Sequence, residues 1–353
     1  MLWLGGGPGS SSLFALFNEN GPVIVNEELN LSKREYAWTN QLSMLYIDNP
    51  VGTGFSFTEH EAGYARNQND VARNLYNALQ QFFTLFSELR SNDFYVSGES
   101  YAGKYVPAIA HEIYKERHRA NISLKGVAIG AGYCDPEIMI NYGDFLHQIG
   151  LIDESQRAYF IEQQNKTIEL MKSGHYEEAF KVIDALIDGE FTSPSYFTQV
   201  TGITCYLNFL WTNAPECFSY YQKYLNLGHV RKALHVGKLS FNDENKVVAK
   251  YLIDDFLRSV KPWVAELMNN YKVLMYTGQL DIIVPSTFIE KFLRSIEWKH
   301  RNEYLSAERK IWKIDSCKDE VAGYIKKFTI FIMSFFVEQD TSRHMTSPEK
   351  FTI

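Results

Sequence analysis

A serine flanked by small residues lies where a strand pattern gives way to a helix pattern. Residues 94–96 are apolar and predict a buried strand, and residues 107–110 are typical of a closely packed helix. Between them the chain reads Gly-Glu-Ser-Tyr-Ala-Gly. A sharp strand-to-helix turn can expose a serine as a nucleophile, and it needs small neighbours because its backbone is strained. Ser100 is therefore a candidate nucleophile, and its alternative role is to cap the helix that begins near Tyr101.

Strand and helix patterns alternate on both sides of the middle of the chain. Further strands are predicted at 42–47, 124–129 and 273–276, because each stretch is short, apolar and followed by turn residues. Between the strands lie helical patterns such as 69–88, where apolar residues recur at a spacing of four. This alternation predicts an α/β fold with a mainly parallel central sheet and helices on both faces.

The middle of the chain has a different character. Residues 136–250 contain amphipathic helical patterns and no clear strand, which indicates a mostly helical insertion. We therefore predict a core whose first part is 1–135 and whose second part is 251–353, with the insertion as a cap between them.

Composition excludes several classes of protein. The 353 residues carry a net charge of −7 and no block of Lys or Arg, so nucleic-acid binding is not expected. The longest apolar run, near 328–337, is too short to span a bilayer. Four cysteines show no metal-ligand spacing, and neither a metal nor an organic cofactor is expected. Cys205 and Cys217 either close a small loop or remain unpaired thiols.

Three glycosylation sequons favour a secretory route. They begin at Asn30, Asn121 and Asn165. The chain opens with Met1 and runs at once into glycines, without a basic segment or a cleavage site. If the secretory route is right, we expect the N-terminus to be missing from this sequence.

A glycine-rich stretch near the start supports the nucleophile. Residues 3–12 read Trp-Leu-Gly-Gly-Gly-Pro-Gly-Ser-Ser-Ser. Exposed backbone N–H groups of such a loop, together with the N–H after the nucleophile, can stabilise an oxyanion. A phosphate-binding loop is disfavoured because neither a Lys-Ser/Thr ending nor the Rossmann glycine spacing is present. A plain flexible turn is the remaining alternative.

An acidic residue follows the predicted strand at 273–276. Asp281 lies in Gly-Gln-Leu-Asp at 278–281. An acid leaving a late strand suits the member of a catalytic triad that orients the histidine, in the chain order Ser, Asp, His of α/β-hydrolases. The alternative is an ordinary turn residue or cap.

Taken together, these motifs resemble the serine carboxypeptidase family, and in particular the vitellogenic-like carboxypeptidases. The resemblance runs from about residue 3 to 324 and includes Trp-Leu-x-Gly-Gly-Pro-Gly at 3–9, Tyr-Ile-Asp-Asn-Pro-Val-Gly-Thr-Gly-Phe-Ser at 46–56, and the serine motif at 98–107. It implies an α/β-hydrolase fold whose N-terminal strands are missing here, leaving the sheet an unpaired edge. It also implies release of C-terminal residues from peptides or proteins, in a secreted or lysosomal setting, and leaves the oligomeric state open.

The resemblance also implies roles for individual residues. Ser100 would be the nucleophile and Asp281 the orienting acid, and the N–H groups of Gly7 and Tyr101 would form the oxyanion hole. The substrate carboxylate would meet Glu99, paired with Glu19, next to Gly6. Two carboxyl groups this close would share a proton. Position 5 departs from the family, because a glycine stands there in place of Asn or Gln.

The family's histidine motif is absent from the C-terminal tail. His344 is the only histidine there, and it lacks the Gly-x-Gly before it and the Pro-Tyr-Asp-Gln-Pro after it. Codons for Gly-Ala-Gly-His-Phe-Ser-Pro-Tyr-Asp-Gln-Pro, read one base later, give Glu-Gln-Asp-Thr-Ser-Arg-His-Met-Thr-Ser-Pro, which is the sequence at 338–348. We therefore hypothesise a frameshift over about 329–348, which makes this tail aberrant. The alternative is a divergent tail in which His344 reaches Ser100.

The expected function is that of a serine-type carboxypeptidase acting through an acyl-enzyme. One alternative is a catalytically dead pseudoenzyme that binds peptides, because a chain without its histidine loses most of its rate. The other is an acyltransferase of the same fold.

Overall fold

A computed structural model describes residues 1–243, 245–313 and 321–328, together with the backbone of 331–336. The strands are β1 (Leu2–Leu4), β2 (Val23–Val25), β3 (Leu31–Lys33), β4 (Leu45–Tyr46), β5 (Phe94–Glu99), β6 (Leu124–Gly130), β7 (Lys272–Gly278), β8 (Arg309–Trp312), β9 (Gly323–Phe328) and β10 (Phe331–Phe336). The helices are α1 (Leu13–Asn18), α2 (Gln68–Leu85), α3 (Ala102–Lys115), α4 (Tyr142–Gln148), α5 (Glu154–Lys172), α6 (Tyr176–Ile183), α7 (Tyr196–Thr201), α8 (Tyr220–Leu225), α9 (Gly228–Ala233), α10 (Lys246–Phe256), α11 (Lys261–Asn270), α12 (Ser286–Ser295) and α13 (Arg301–Ser306).

Eight strands form one sheet in the order β4-β1-β5-β6-β7-β10-β9-β8. The pairs from β4 to β10 are parallel, whereas β9 pairs with both its neighbours in antiparallel fashion. The predicted, mainly parallel sheet is thus confirmed. Since β1, β5 and β7 run in the same direction, the loops that follow them meet at one edge of the sheet, where ligands bind in α/β folds.

The predicted strand at 42–47 is wrong in its first half. Only Leu45 and Tyr46 form a strand, paired with the three-residue strand β1, and β4 forms the edge of the sheet. Leu42 is 41% exposed. The short partner offers register for two residues only, so the apolar residues before them have no strand to pair with.

Helices α2 and α3 cover the sheet beside the serine turn. The apolar stripe of α2 is buried as its spacing predicts, and Asn67 caps the helix by accepting a hydrogen bond from the Asp70 N–H at 3.0 Å. Helix α3 is buried along most of its length, because it packs against β5, β6, α2 and α11. Within the described ranges, no helix is long and apolar enough to cross a membrane.

Helices α4 to α9 lie between β6 and α10, and α10 begins before the boundary predicted at 250. The longest of them, α5, starts with a capping box in which Asp153 accepts from the Gln156 N–H at 2.8 Å and Gln156 accepts from the Asp153 N–H at 2.9 Å. A π-helical turn, Asp184–Asp188, follows α6 directly. The division of the chain into core and cap remains a prediction.

Candidate active site

Ser100 occupies a strained turn between β5 and α3. Its φ is +56°, a left-handed value that costs energy for a residue other than glycine. The surroundings hold it there: the Ser100 N–H donates to the Gly130 carbonyl at 2.9 Å, and the Ser100 carbonyl accepts from the N–H groups of Gly103 and Tyr133, each at 2.9 Å. Helix α3 has no side-chain cap at its N-terminus, so capping is not the role of Ser100.

Small residues on both sides of the turn are required by close packing. A Cβ atom on Gly98 would lie 2.5 Å from the Leu4 carbonyl oxygen, and one on Gly103 would lie 2.5 Å from the Tyr133 nitrogen. These contacts bring β5 and α3 against β1 and the loop after β6. The pattern of small residues around Ser100 is therefore a steric requirement of the turn.

The glycine-rich loop after β1 lies directly against the serine. A Cβ atom on Gly6 would be 2.8 Å from the Ser100 Cβ and 2.9 Å from the Tyr101 nitrogen. Gly7 has φ +104°, and the Gly5 N–H donates to the Ser12 Oγ at 2.9 Å, which ties the loop to its own far end. The structure thus brings Gly6 to the backbone that follows the nucleophile, and Gly7 lines a cavity together with Ser100 and Tyr101.

Both glutamates lie near Tyr276. Glu19 follows α1 and is fully buried, and Glu99 is the half-buried last residue of β5. Burial, and then the charges of Glu99 and Glu19, raise the pKa of the Tyr276 phenol well above its usual value. Arg34 is also close to Glu19: burial lowers the pKa of its guanidinium, and Glu19 opposes that shift.

Asp281 follows β7 at the same edge of the sheet. It is fully buried, and its Oδ1 accepts from the Val284 N–H at 3.0 Å, which fixes the carboxylate within its own turn. The next residue is anchored to the insertion, because the Ile282 N–H donates to the Tyr206 carbonyl at 3.0 Å.

Other sequence predictions fall outside the core of the site. His344 lies outside the described residues. Asn30, Asn121 and Asn165 are exposed. Among the described cysteines, Cys217 forms no disulfide, so it does not close a loop with Cys205. No group of His, Cys, Asp or Glu in the described ranges is arranged to hold a metal ion.

Ser100 lines two cavities. The larger, of about 540 Å³, is lined by Gly5, Gly6 and Glu99, by residues of 204–222 and by Asp243. The smaller, of about 60 Å³, is mainly apolar and is lined by Gly7, Ser100, Tyr101, Tyr133, Tyr142, Phe180, Ile183, Asp184, Ile187, Asp188, Tyr206, Phe256, Ile283 and Val284. The serine therefore stands between an acidic chamber, called here the Glu99 cavity, and an apolar one, called here the Tyr101 cavity.

Several residues of these walls escaped the sequence analysis. Tyr206, Asp243 and Phe256 belong to the insertion or to α10, and they line the cavities beside the serine although they lie far from it along the chain. None lies in a motif. Tyr206 and Asp243 belong to the predicted cap, whereas Phe256 lies just beyond its predicted boundary at 250.

An eight-stranded α/β sheet, a serine on a strained strand-to-helix turn and a buried acid after a later strand at the same edge define an α/β-hydrolase. The chain belongs to the serine carboxypeptidase family, whose pattern it matches over residues 1–350.

Relatives and a solved structure agree with this assignment. The chain is 55% identical over 331 residues to the probable serine carboxypeptidase CPVL of Homo sapiens, which covers 93% of this chain and 69% of that protein. It is 42% identical over 330 residues to the vitellogenic carboxypeptidase of Aedes aegypti, with the same shares. The fold is similar to that of Kex1(delta)p, a prohormone-processing carboxypeptidase of Saccharomyces cerevisiae. The TM-score is 0.84 at 21% identity, over 99% of this chain and 80% of that chain.

The family and fold predicted from the sequence are thereby confirmed. The chain is a serine carboxypeptidase in class, and its substrates are the C-termini of peptides. The interpretations as a peptide-binding pseudoenzyme or an acyltransferase are not favoured by these relatives.

Proposed function

We propose that Ser100 is the nucleophile of a serine carboxypeptidase reaction in this chain. Its Oγ attacks the last peptide carbonyl and loses its proton to a base. The C-terminal amino acid leaves as the protonated amine, and water then hydrolyses the ester on Ser100. The observation that carries the proposal is the strained φ of +56°, held by three backbone hydrogen bonds at the end of β5.

The oxyanion hole in this proposal consists of the N–H groups of Tyr101 and Gly7. Gly6 supports it, because only a residue without a Cβ leaves room for the Tyr101 N–H beside the loop. Donors fixed before the reaction stabilise the developing negative charge without reorganisation.

The terminal carboxylate of the substrate is bound in the Glu99 cavity. Gly6, Glu99 and Ser100 line that cavity, and the buried Glu19, like Glu99, lies near Tyr276. A carboxyl pair that shares one proton can donate a hydrogen bond to a carboxylate. The C-terminal residue then lies on the Glu99 side of the serine.

The acyl side of the scissile bond falls in the Tyr101 cavity. Its wall is mainly aromatic and aliphatic. The Asp184 carboxylate there is already engaged by the N–H groups of Phe191 and Thr192, at 3.1 and 2.8 Å. Peptides with an apolar penultimate residue are therefore the favoured substrates.

Asp281 is proposed to orient the base, and the candidate base in the chain as it stands is His344, outside the described residues. Covalent labelling tests the assignment of Ser100. A fluorophosphonate should label the peptide that carries Ser100, and Ser100→Ala should abolish the label. Labelling elsewhere, or none even in a chain whose residues 338–348 are replaced by the family motif, would contradict the assignment.

Secretion or delivery to a lysosome is the proposed location. Asn30, Asn121 and Asn165 are all exposed, as glycosylated asparagines must be. One relative, 46% identical over 330 residues, is the venom serine carboxypeptidase of Apis mellifera. Protein expressed through the secretory pathway should lose mass on enzymatic deglycosylation, and an unchanged mass would contradict glycosylation.

A further inference from the structure

Arg34 holds the segment that carries Glu19. The Arg34 Nε donates to the Gly21 carbonyl at 2.9 Å, and its Nη2 donates to the Phe17 carbonyl at 2.6 Å. These two carbonyls belong to residues on either side of Glu19 in the sequence. The main chain adds a third contact, because the Arg34 N–H donates to the Pro22 carbonyl at 2.8 Å. Arg34 therefore fixes the chain from the end of α1 to the start of β2.

The turn after α1 is itself tightly closed. The N–H groups of Glu19, Asn20 and Gly21 all donate to the Ala15 carbonyl, at 3.0, 2.9 and 3.4 Å. A Cβ atom on Gly21 would lie 2.1 Å from the Leu16 carbonyl oxygen, so the turn passes directly against the helix. The backbone from which the Glu19 side chain extends thus has one position, and the Arg34 hydrogen bonds hold it there.

Arg34 also brings a positive charge into the interior beside Glu19. Arg34 is only 7% exposed, and Glu19 is fully buried. A guanidinium keeps its charge in a protein, and a charge removed from water needs a partner of opposite sign. The two carbonyls accept hydrogen bonds but carry no net charge. Glu19 is the acid whose charge acts on the guanidinium, so Arg34 favours the ionised form of Glu19.

The other titratable groups around these charges are Tyr46 on β4, Tyr276 on β7 and Glu99 at the end of β5. Burial, and then the charge of Glu19, raises the pKa of Tyr46, which keeps this phenol neutral, and Arg34 opposes that shift. Tyr276 is neutral for a similar reason, but the charges that act on it are those of Glu99 and Glu19. The cation therefore lies nearer to Glu19 than to Glu99.

We propose that Arg34 is a positioning residue of the site that binds the substrate carboxylate: it fixes Glu19 and keeps it ionised, so that the proton shared by the two glutamates lies on Glu99. Glu99 lines the Glu99 cavity together with Ser100, so the proton is placed on the carboxyl group that can donate to the substrate. This inference rests on the proposed function, in which the two glutamates bind the terminal carboxylate.

Binding to the full chain carrying Ser100→Ala tests the inference without any need for turnover. The affinity of a fluorescent peptide with a free C-terminus is measured by anisotropy from about pH 5 to 8, where the peptide's own carboxyl group stays ionised. Its affinity should fall as the pH rises and Glu99 loses the shared proton. In Arg34→Gln the two glutamates lose the neighbouring cation and hold their proton more tightly, so the midpoint of this fall should move to higher pH by about one unit or more.

Two further variants separate the charge of Arg34 from its structural contacts. Arg34→Lys keeps the charge and should keep the midpoint, although it cannot make both carbonyl contacts in the same way. Arg90→Gln is the matched control, because Arg90 is half-buried and donates to the carbonyls of Phe83 and Gln80 near the end of α2, at 3.3 and 3.4 Å. Its midpoint should also stay in place.

An arginine with a structural role alone would change the affinity by the same factor at every pH. A midpoint that does not move in Arg34→Gln, or that moves as far in Arg34→Lys, would therefore overturn the inference. A peptide with a C-terminal amide tests the function separately: if the amide and the acid bind alike at every pH, recognition of the terminal carboxylate is wrong.

The location of the proton can also be measured with Arg34 intact, which answers the question even if Arg34→Gln does not fold. Glutamate carboxyl carbons are labelled with ¹³C in the Ser100→Ala chain, and Glu19→Gln and Glu99→Gln assign the two NMR signals. At about pH 5 the Glu19 signal should be that of a carboxylate and the Glu99 signal that of a protonated carboxyl group. The reverse assignment would overturn the inference.

Discussion

Lys104 and Asp255 form an ion pair in the interior of the protein, with the Nζ 3.2 Å from Oδ2. Lys104 lies in the first turn of α3, directly after the serine turn, and Asp255 lies in the last turn of α10. The same Nζ donates to the Phe256 carbonyl at 3.1 Å, and Phe256 stacks on Tyr101 with a centroid distance of 5.1 Å. The pair therefore joins the nucleophile's helix to a wall of the Tyr101 cavity.

Removing the cation should destabilise the whole domain. Lys104→Met leaves the Asp255 charge buried without a cation, with only the neutral Gln68 Nε2 donating to it at 2.7 Å. Breaking a buried ion pair in this way costs about 3–5 kcal/mol of the free energy of unfolding. Urea denaturation followed by circular dichroism measures the loss. Lys181→Met is the control, since Lys181 pairs with Glu177 on an exposed helix face and its removal should change nothing measurable. Equal effects of the two variants would contradict a structural role for the buried pair.

The Lys104 pair also predicts a pH dependence. Burial lowers the pKa of Lys104 from 10.5 to about 8, against the opposing charge of Asp255. Between pH 8 and 10.5, Lys104 still holds its proton in the unfolded chain but has released it in the folded chain. The contribution of Lys104 to the free energy of unfolding therefore rises with pH over this range and is constant below pH 8.

Comparison with Lys104→Met isolates this contribution. The difference in free energy of unfolding between the two proteins should be constant from pH 6 to 7.5. It should then grow toward pH 10 by about 1.4 kcal/mol per pH unit. A difference that shrinks over the alkaline range would show that the folded state holds the proton more tightly than the unfolded state does.

Gly6 is expected to tolerate no side chain. In Gly6→Ala the new Cβ would lie 2.8 Å from the Ser100 Cβ and 2.9 Å from the Tyr101 nitrogen, so the loop must move away from the oxyanion site. Loss of one oxyanion donor lowers kcat by about 10²–10³. We would measure hydrolysis of a blocked dipeptide in the chain whose residues 338–348 carry the family motif.

Gly228→Ala serves as the matched control, because a Cβ there meets nothing within 4 Å. It should leave kcat unchanged. A Gly6→Ala protein that folds and retains full kcat would mean that the loop does not contribute to the oxyanion hole.

Local parts of this site could be read from the sequence, and distant ones could not. The serine turn and the glycine loop are each built from consecutive residues whose small size is imposed by contacts 2.5–2.9 Å away, so their pattern is visible in the chain itself. Asp243 meets Ser11 across 232 positions and Lys104 meets Asp255 across 151. The residues next to Asp243 and Asp255 in the sequence do not indicate that either carboxylate is buried against a distant segment.

Edges were harder to predict than the centre of the sheet. Strands β5, β6 and β7 are buried between neighbours, and their apolar runs identify them. Residues 42–47 have a similar composition, yet most of them form no strand because β1 is short. The antiparallel strands β8 and β9 are not predicted from the sequence. They are half exposed and their residues are mixed in polarity, so no apolar run marks them as strands.

Asp281→Asn should preserve the fold and impair catalysis. The amide oxygen can still accept from the Val284 N–H, now 3.0 Å from Oδ1, but an amide cannot stabilise an imidazolium as a carboxylate does. The loss in kcat is expected to be about 10⁴-fold in the tail-restored chain, with KM little changed. Asp254→Asn, on the exposed face of α10, should retain full activity. A loss in kcat of less than tenfold would show that Asp281 is an ordinary turn residue and does not orient the base.

The tail decides whether Ser100 has a base in the chain as it stands. If 329–348 is frameshifted, the transcript should encode Gly-x-Gly-His in the reading frame that precedes this segment. Replacing 338–348 by the family motif should then raise the rate of fluorophosphonate labelling at Ser100 at least about 10³-fold, because it restores a member of the triad. His344→Ala in the unrestored chain should then leave the slow rate unaltered. If the transcript instead matches 338–348 as written and His344→Ala abolishes labelling, His344 is the base, and the frameshift hypothesis is wrong.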